Sequence, residues 1–311
     1  MKSTKFLSHL VRRLSWSEID ADYLRSMVEL ARAEDIEGKG LANPPKNGRD
    51  ITTMTLTPKT QTSARLVSRE DLTVCGMELL PIILDVYQSH SGSERLKFTP
   101  EAKDADKLQK GDVLGIFEGS AQIMLQAERI MLNFLQRLSG VSTMTAKYVQ
   151  ALGKTQTKLL DTRKTTPGFR VLEKYAFACG GGYNHRIGLF DRVMLKDNHL
   201  AAAHAASGEM LAEAVRKARK ENADVAVEVE VDSPGQIPPV LEAGADVIML
   251  DNFNFDDMRK AVDYIGQRAY VEVSGGVTLS TIGKIGEIGP DFVSSAAPVH
   301  SSKWIDIGLD S

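Results

Sequence analysis

The sequence predicts an α/β protein in which repeated βα units build a barrel of parallel strands behind a smaller N-terminal domain. Three observations carry this reading. Six short apolar runs recur at residues 158–161, 193–196, 225–230, 247–251, 270–274 and 291–295. Each closes on a residue able to do chemistry, namely Asp161, Lys196, Glu230, Asp251, Ser274 and Ser295. Subtracting successive closing positions gives spacings of 35, 34, 21, 23 and 21 residues, each room for a helix and two loops. In a parallel barrel the reacting groups gather at the C-terminal ends of the strands, so these residues are expected to meet at one mouth.

The elements ahead of the barrel follow in order. Residues 25–33 carry apolar positions at helical spacing, with Leu24, Val28 and Ala31 expected inward. The stretch 38–48 is too rich in Gly, Pro and Asn to be anything but a loop. Residues 53–57, 63–68 and 73–75 suggest strands broken by Pro58 and Gly76, and 78–87 a helix with Pro81 near its start. Residues 111–119 read as a hairpin or edge strand. In 121–138 Ile123, Ala127, Ile130, Phe134 and Leu138 share one face of a long amphipathic helix and leave Arg129 at its flank. The domain boundary is placed in this helix, giving an N-terminal domain over 1–128 and a barrel domain over 129–311, the C-terminal end of which has room to pack back on the first domain.

Bulk properties narrow the class. A chain of 311 residues has room for one barrel and a smaller domain, and 42% hydrophobic with 25% charged residues suits a globular protein. With 38 basic and 41 acidic side chains the net charge is −3, which gives no general pull towards nucleic acid or an anionic membrane. Two cysteines, Cys75 and Cys179, cannot form a disulfide framework or complete a Cys-x-x-Cys metal site, so the cytoplasm is the expected compartment. The first 17 residues lack the continuous apolar stretch of a signal peptide, and no run approaches a membrane span.

The loops after the strands carry the chemistry. Thr162, Arg163, Lys164, Thr165 and Thr166 follow the first barrel strand, and two cations with three hydroxyls at a barrel mouth form an anion site; a solvated turn is the plainer alternative. Asn184, His185 and Arg186 follow a triple glycine that is not a dinucleotide-binding fingerprint. Lys196 closes an apolar strand and must project into the mouth or be buried at cost. His185 reads equally as a structural histidine, and His199, beside a helix start, as a capping residue rather than a catalytic one. Glu228, Glu230 and Asp232 share one face of their strand, and with Asp251 they form an acidic group suited to Mg²⁺ or ribose hydroxyls, or else to ion pairs with Lys164 and Lys196. Ser274, Gly275 and Gly276, with residues 294–297, look like a phosphate cradle of backbone N–H groups. No Ser/His/Asp triad, His/Cys metal cluster or P-loop offers a competing chemistry.

Taken with residues 128–140 and 161–170, the segments Asn184-His185-Arg186, 195–199, 228–232, 250–253 and Ser274-Gly275-Gly276 resemble the nicotinate-nucleotide pyrophosphorylase (carboxylating) family, also called quinolinate phosphoribosyltransferase. The likeness runs from about Glu34 to the C-terminus with the motifs in family order. It implies a small N-terminal α/β sandwich domain followed by an incomplete TIM-like α/β barrel. It also implies a homodimer with shared active sites, with assembly beyond the dimer left open. Arg163, His185 and Arg186 would bind the quinolinate carboxylates, and Arg129 would reach in from the neighbouring subunit. Lys164 and Lys196 would face acceptor and pyrophosphate. Glu230 and Asp251 would hold the ribose hydroxyls and Mg²⁺, directly or indirectly, with Thr162 nearby. Ser274, Gly275 and Gly276 would hold the 5′-phosphate. The implied substrates are quinolinate and phosphoribosyl pyrophosphate, with Mg²⁺ and no organic cofactor.

Two departures from the family pattern stand out. Ala296 occupies a place in the second phosphate loop that usually holds Gly, with Ala297-Pro298-Val299 after it in place of Ala-Leu-Thr, and residues 39–49 look like an inserted surface loop. Two rival readings are a phosphoribosyltransferase with another acceptor and a non-catalytic barrel that senses a phosphorylated metabolite. The set Arg129, Arg163, His185 and Arg186 argues against the first, and intact Glu230 and Asp251 against the second.

Overall fold

The computed structural model describes residues 2–91 and 95–310. Its strands, numbered along the chain, are β1 (Gln61–Ser68), β2 (Leu72–Thr73), β3 (Leu96–Pro100), β4 (Lys107–Leu108), β5 (Val113–Ser120), β6 (Lys158–Leu160), β7 (Val193–Leu195), β8 (Val227–Val231), β9 (Val247–Asp251), β10 (Tyr270–Ser274), β11 (Phe292–Ser294) and β12 (Ile307–Asp310). They fall into two compact units. One comprises Ser15–Thr143 and the residues from Ser302 on; the other comprises the residues up to Leu14 and Met144–Ser301. The division lies within the helix Ala121–Ala151, later than the boundary expected after residue 128, and gives the first fourteen residues to the barrel.

In the first unit an antiparallel sheet runs in the order β12-β1-β5-β3. β5 is an inner strand of that sheet, not the edge or hairpin that its glycines suggest, and Phe117 on it stacks on Phe98 with ring centroids 4.5 Å apart. The helix Ala21–Glu37 is capped by the Asp20 carboxylate and ends at Gly38 in the left-handed region, with Leu24, Val28 and Arg32 buried. Arg32 takes the inward place expected near Ala31 because its guanidinium is paired with Glu37. The helix Leu80–Ser89 has Pro81 in its first turn, where a missing N–H costs nothing. Residues 53–57 do not form a strand. Asp50 accepts the N–H groups of Thr52 and Thr53 at 3.0 and 2.9 Å, and this local turn sets up a 3₁₀ helix over Thr53–Thr55 despite the β-branched side chains. The helix Ala121–Ala151 continues well past the expected end at residue 138.

The second unit holds a six-stranded parallel sheet in the order β6-β11-β10-β9-β8-β7. Neighbours from β7 to β11 are consecutive in the chain, and β6 closes onto β11, so the two outer strands β6 and β7 leave a barrel open along one seam. β9 and β10 are buried along all but their last residue, as strands covered on both faces must be. The end of the barrel opposite the closing residues is filled by the short helix Leu7–Leu10. Phe6 and Leu10 form a buried cluster with Leu160 and with Ala226, Val247, Tyr270 and Phe292, the last four at or next to the strand starts. Arg13 then donates to the carbonyls of Gly181 and Gly182 at 2.7 and 2.9 Å, and Leu14 N–H donates to the Asn184 side chain at 2.7 Å. No helix among the described residues is long and apolar enough to cross a membrane.

Candidate active site

At the C-terminal ends of the barrel strands lies a cavity of about 410 Å³. It is lined by Thr162, Arg163 and Lys164 after β6, His185 and Arg186 before β7, Lys196 after β7, Glu230 in β8, Asp251 closing β9 and Ser274 closing β10. Nine of the site positions expected from the sequence thus meet in one place. Gly275, Gly276 and Ala296 are not among its lining residues, although each adjoins or lies close in sequence to one that is, and Arg129 is exposed on the helix Ala121–Ala151. Asp232 is exposed and outside the cavity.

Its wall is held by a buried network. The Asp161 carboxylate accepts from Lys174 Nζ at 2.5 Å, from the Asn184 side chain at 2.7 Å and from His185 N–H at 2.8 Å. Burial pushes the Asp161 carboxyl up and the Lys174 ammonium down, and the ion pair with its extra donors is what keeps both charged. Asp161 therefore anchors the Asn184-His185-Arg186 loop, which places Arg186 at the cavity. Arg186 is buried there, and among the described residues its guanidinium donates only over long contacts, 3.4 Å each, to the Arg192 carbonyl and the Met194 sulfur. Burial and the charge on Arg163 lower its pKa, so two guanidinium groups are held close enough to repel. Arg163 Nε is itself buried without a hydrogen-bond partner among the described residues. Two under-satisfied cations side by side form a ready anion site.

Beneath them sits a second buried group. His185 Nδ1 accepts the Arg186 N–H at 2.7 Å, and its Nε2 lies 3.1 Å from Glu228, which also accepts from Arg192 at 2.9 Å. Burial and the Arg192 charge oppose a cation on His185, and Glu228 and Glu272 favour one strongly enough that the net direction is upward. Nδ1 already accepts the Arg186 N–H, so a cationic ring has to give up that bond. Despite its burial, Glu228 is held well below the usual carboxylate range by the facing His185 and Arg192.

At the mouth, Lys196 pairs with Glu230. The Lys196 N–H donates to His199 Nδ1 at 3.1 Å, so His199 is the capping residue the sequence suggests. Lys164 N–H donates to Thr162 Oγ1 at 3.0 Å, which shapes the first loop. Gly275, at φ +88°, packs against Asn252, where a Cβ would come within 2.2 Å of the side-chain oxygen. Arg192, Lys174 and Glu272 escaped the sequence reading. For Glu272 a signal existed: it shares strand parity with Ser274, as Glu228 does with Glu230.

Fold and cavity together define an α/β-barrel protein built to take anionic small molecules. Sequence profiles described as the quinolinate phosphoribosyl transferase C-terminal and N-terminal domains match residues 141–310 and 50–139. A probable nicotinate-nucleotide pyrophosphorylase [carboxylating] of Bacillus subtilis is 45% identical over 67% of this chain and 71% of its own length. The nicotinate-nucleotide pyrophosphorylase [carboxylating] of Mycobacterium leprae is 35% identical over 94% of this chain and 99% of its own. The solved nicotinate-nucleotide pyrophosphorylase of Francisella tularensis superposes with a TM-score of 0.83 at 34% identity, covering 96% of this chain and 99% of that one. This chain belongs to the quinolinate phosphoribosyltransferase family.

Proposed function

We propose that the chain transfers the phosphoribosyl group of phosphoribosyl pyrophosphate to quinolinate with decarboxylation, giving nicotinate mononucleotide, pyrophosphate and CO₂, a step of NAD biosynthesis. The observation that carries this reading is the convergence of Arg163 and Arg186 in the same cavity as Glu230 and Asp251. Two guanidinium groups suit the two carboxylates of quinolinate, and two acids suit the hydroxyls of a ribose.

In this reading Arg163 and Arg186 hold the acceptor, and His185 acts through Arg186 by fixing its backbone. Ser274, the N–H groups of Gly275 and Gly276, and that of Ala296 hold the 5′-phosphate, a contact that a methyl group on residue 296 leaves open. Lys164 and Lys196 neutralise the acceptor and the pyrophosphate, Lys196 exchanging Glu230 for the ligand, with Thr162 beside them. The ring nitrogen then attacks the anomeric carbon, and the C–O bond to pyrophosphate breaks with its electron pair leaving on oxygen. The carboxylate beside the quaternised nitrogen departs as CO₂, its electron pair stays on the ring carbon, and a proton follows. Positioning two polyanions and neutralising them supply the catalysis.

Glu230 and Asp251 present the hard carboxylate oxygens that Mg²⁺ prefers, so their chemistry fits the ion. When bound, Mg²⁺ supplies charge neutralisation on the leaving pyrophosphate. Arg129 would serve the cavity of a second copy in a homodimer, and the scarcity of cysteine supports a cytoplasmic setting.

Incubating the purified protein with quinolinate, phosphoribosyl pyrophosphate and Mg²⁺ tests the reading. Nicotinate mononucleotide with equimolar pyrophosphate is expected, and its loss on chelation by EDTA. Binding of both substrates without product would favour a sensor and overturn the enzymatic assignment.

A further inference from the structure

Glu272, in the middle of β10, is fully buried yet lines the cavity, and neither of its carboxyl oxygens has a hydrogen-bond partner among the described residues. Its nearest charged neighbours come from two directions. Glu228 stands in β8, two strands away across β9 in the sheet, and His185 and Arg192 flank the loop before β7; one ligand atom from each of His185, Glu228 and Glu272 lies within 4.8 Å of the others. Glu228 takes the cations of this cluster: Arg192 pairs with it at 2.9 Å, and His185 Nε2 lies nearer to it, at 3.1 Å, than to Glu272, at 3.5 Å. A charge on Glu272 would be a second buried anion with no cation of its own, an arrangement that strongly favours the protonated acid. Burial and the Glu228 charge push the Glu272 carboxyl up, in the same direction. A divalent metal does not suit the cluster, because Arg192 Nη1, 3.1 Å from His185 Nε2 and 2.9 Å from Glu228, already points a cation into it.

A protonated carboxyl is a donor, and this one has no hydrogen-bond partner among the described residues. His185 Nε2, at 3.5 Å, is engaged instead by Arg192 at 3.1 Å and faces Glu228 at 3.1 Å. The open side of Glu272 is the cavity, which it shares with Arg163 and Arg186. We propose that Glu272 is a neutral acid that donates a hydrogen bond to a carboxylate of the bound acceptor, and so is a specificity-determining residue for a dianionic pyridine. An ionised group at this place would cancel one of the two guanidinium charges and repel the ligand; a neutral donor adds to them. The inference rests on the acceptor being quinolinate.

Direct titration of quinolinate separates the alternatives. Glu272→Gln keeps a neutral donor and is expected to bind quinolinate within about threefold of the unsubstituted protein. Glu272→Leu removes the donor and is expected to lose at least about tenfold, the lower bound for a hydrogen bond to a charged group. Affinity for phosphoribosyl pyrophosphate should stay unchanged in both. Tighter quinolinate binding by Glu272→Gln, by about tenfold or more, would mean that a negative charge had been removed and would overturn the proposal. So would equal binding by the Gln and Leu variants. The infrared spectrum of the unsubstituted protein needs no variant: a carbonyl band of a protonated carboxylic acid is expected, shifting to lower frequency when quinolinate is added. Absence of that band, or its indifference to quinolinate, overturns the proposal. Failure of the unsubstituted protein to bind quinolinate at all sinks the functional reading itself, a different result from binding that ignores residue 272.

Discussion

Lys174 is a cation with no exposure at all, held by Asp161 and by the His185 carbonyl at 3.1 Å. Removing one partner of such a pair strands the other's charge in the interior, so Lys174→Ala should cost the barrel unit about 3–5 kcal/mol, read from its urea unfolding midpoint. Glu272 gives a second test through pH. Its folded pKa lies above an unfolded value of about 4.3, so its contribution is fully present below that pH and is lost as pH rises towards the folded pKa. Glu272→Gln should therefore gain stability over the unsubstituted protein as pH is raised from 5 to 8; a constant difference would mean that Glu272 does not titrate with folding. At the cavity wall, Arg163→Ala and Arg186→Ala should weaken quinolinate by about 1.5–3 kcal/mol each and leave most of the affinity for phosphoribosyl pyrophosphate, as separate titrations would show. Residues of this kind differ in how far the sequence reveals them. Lys196, Glu230 and Asp251 announce themselves as polar endings to apolar strands. Arg192 and Lys174 do not, because the partners that give them meaning lie 36 and 13 residues away and are found only after folding.

Strands and turns were the most legible elements where one local rule acts alone. The six barrel strands fall where the apolar runs put them, since a strand buried on both faces is mostly apolar, with β8 and its Glu228 and Glu230 departing furthest from that rule. Residues 53–57 misled because β propensity competes there with the capping of a turn by Asp50, and the nearer hydrogen bonds win. β3, with one buried residue in five, has no alternation strong enough to show. The turn after β10 illustrates a rule that acts through contact. Gly275→Ala would combine a left-handed backbone, about 1–2 kcal/mol, with a collision against Asn252, which itself sits at φ +56°. Gly276→Ala, at φ +58° with open space around it, has the backbone strain alone. Thermal unfolding should rank the first variant below the second, and affinity for phosphoribosyl pyrophosphate should fall further in the first if this turn cradles the phosphate.

For the whole molecule, the exposed placement of Arg129 on the largely buried helix Ala121–Ala151 leads to a prediction about assembly. If its guanidinium completes the cavity of a second copy, mixing inactive Arg129→Ala with inactive Lys196→Ala should restore activity, because some heterodimers carry one intact site. Subunit exchange, followed by mass spectrometry of tagged chains, with no recovered turnover would falsify the shared site. The barrel's closure by residues up to Leu14 was invisible in sequence, since one turn of helix with two inward apolar residues carries no periodic signal. It bears on how the protein is made. Leu10 leaves the ribosome 292 − 10 = 282 residues ahead of Phe292, its partner on the barrel floor, and at typical rates of synthesis waits roughly 15–60 s for it. β1 likewise waits for β12. The barrel unit is complete only at Ser301 and the other unit only with the residues from Ser302 on, so until then the nascent chain carries two unsealed apolar surfaces, and chaperones that bind such surfaces have both in reach at once.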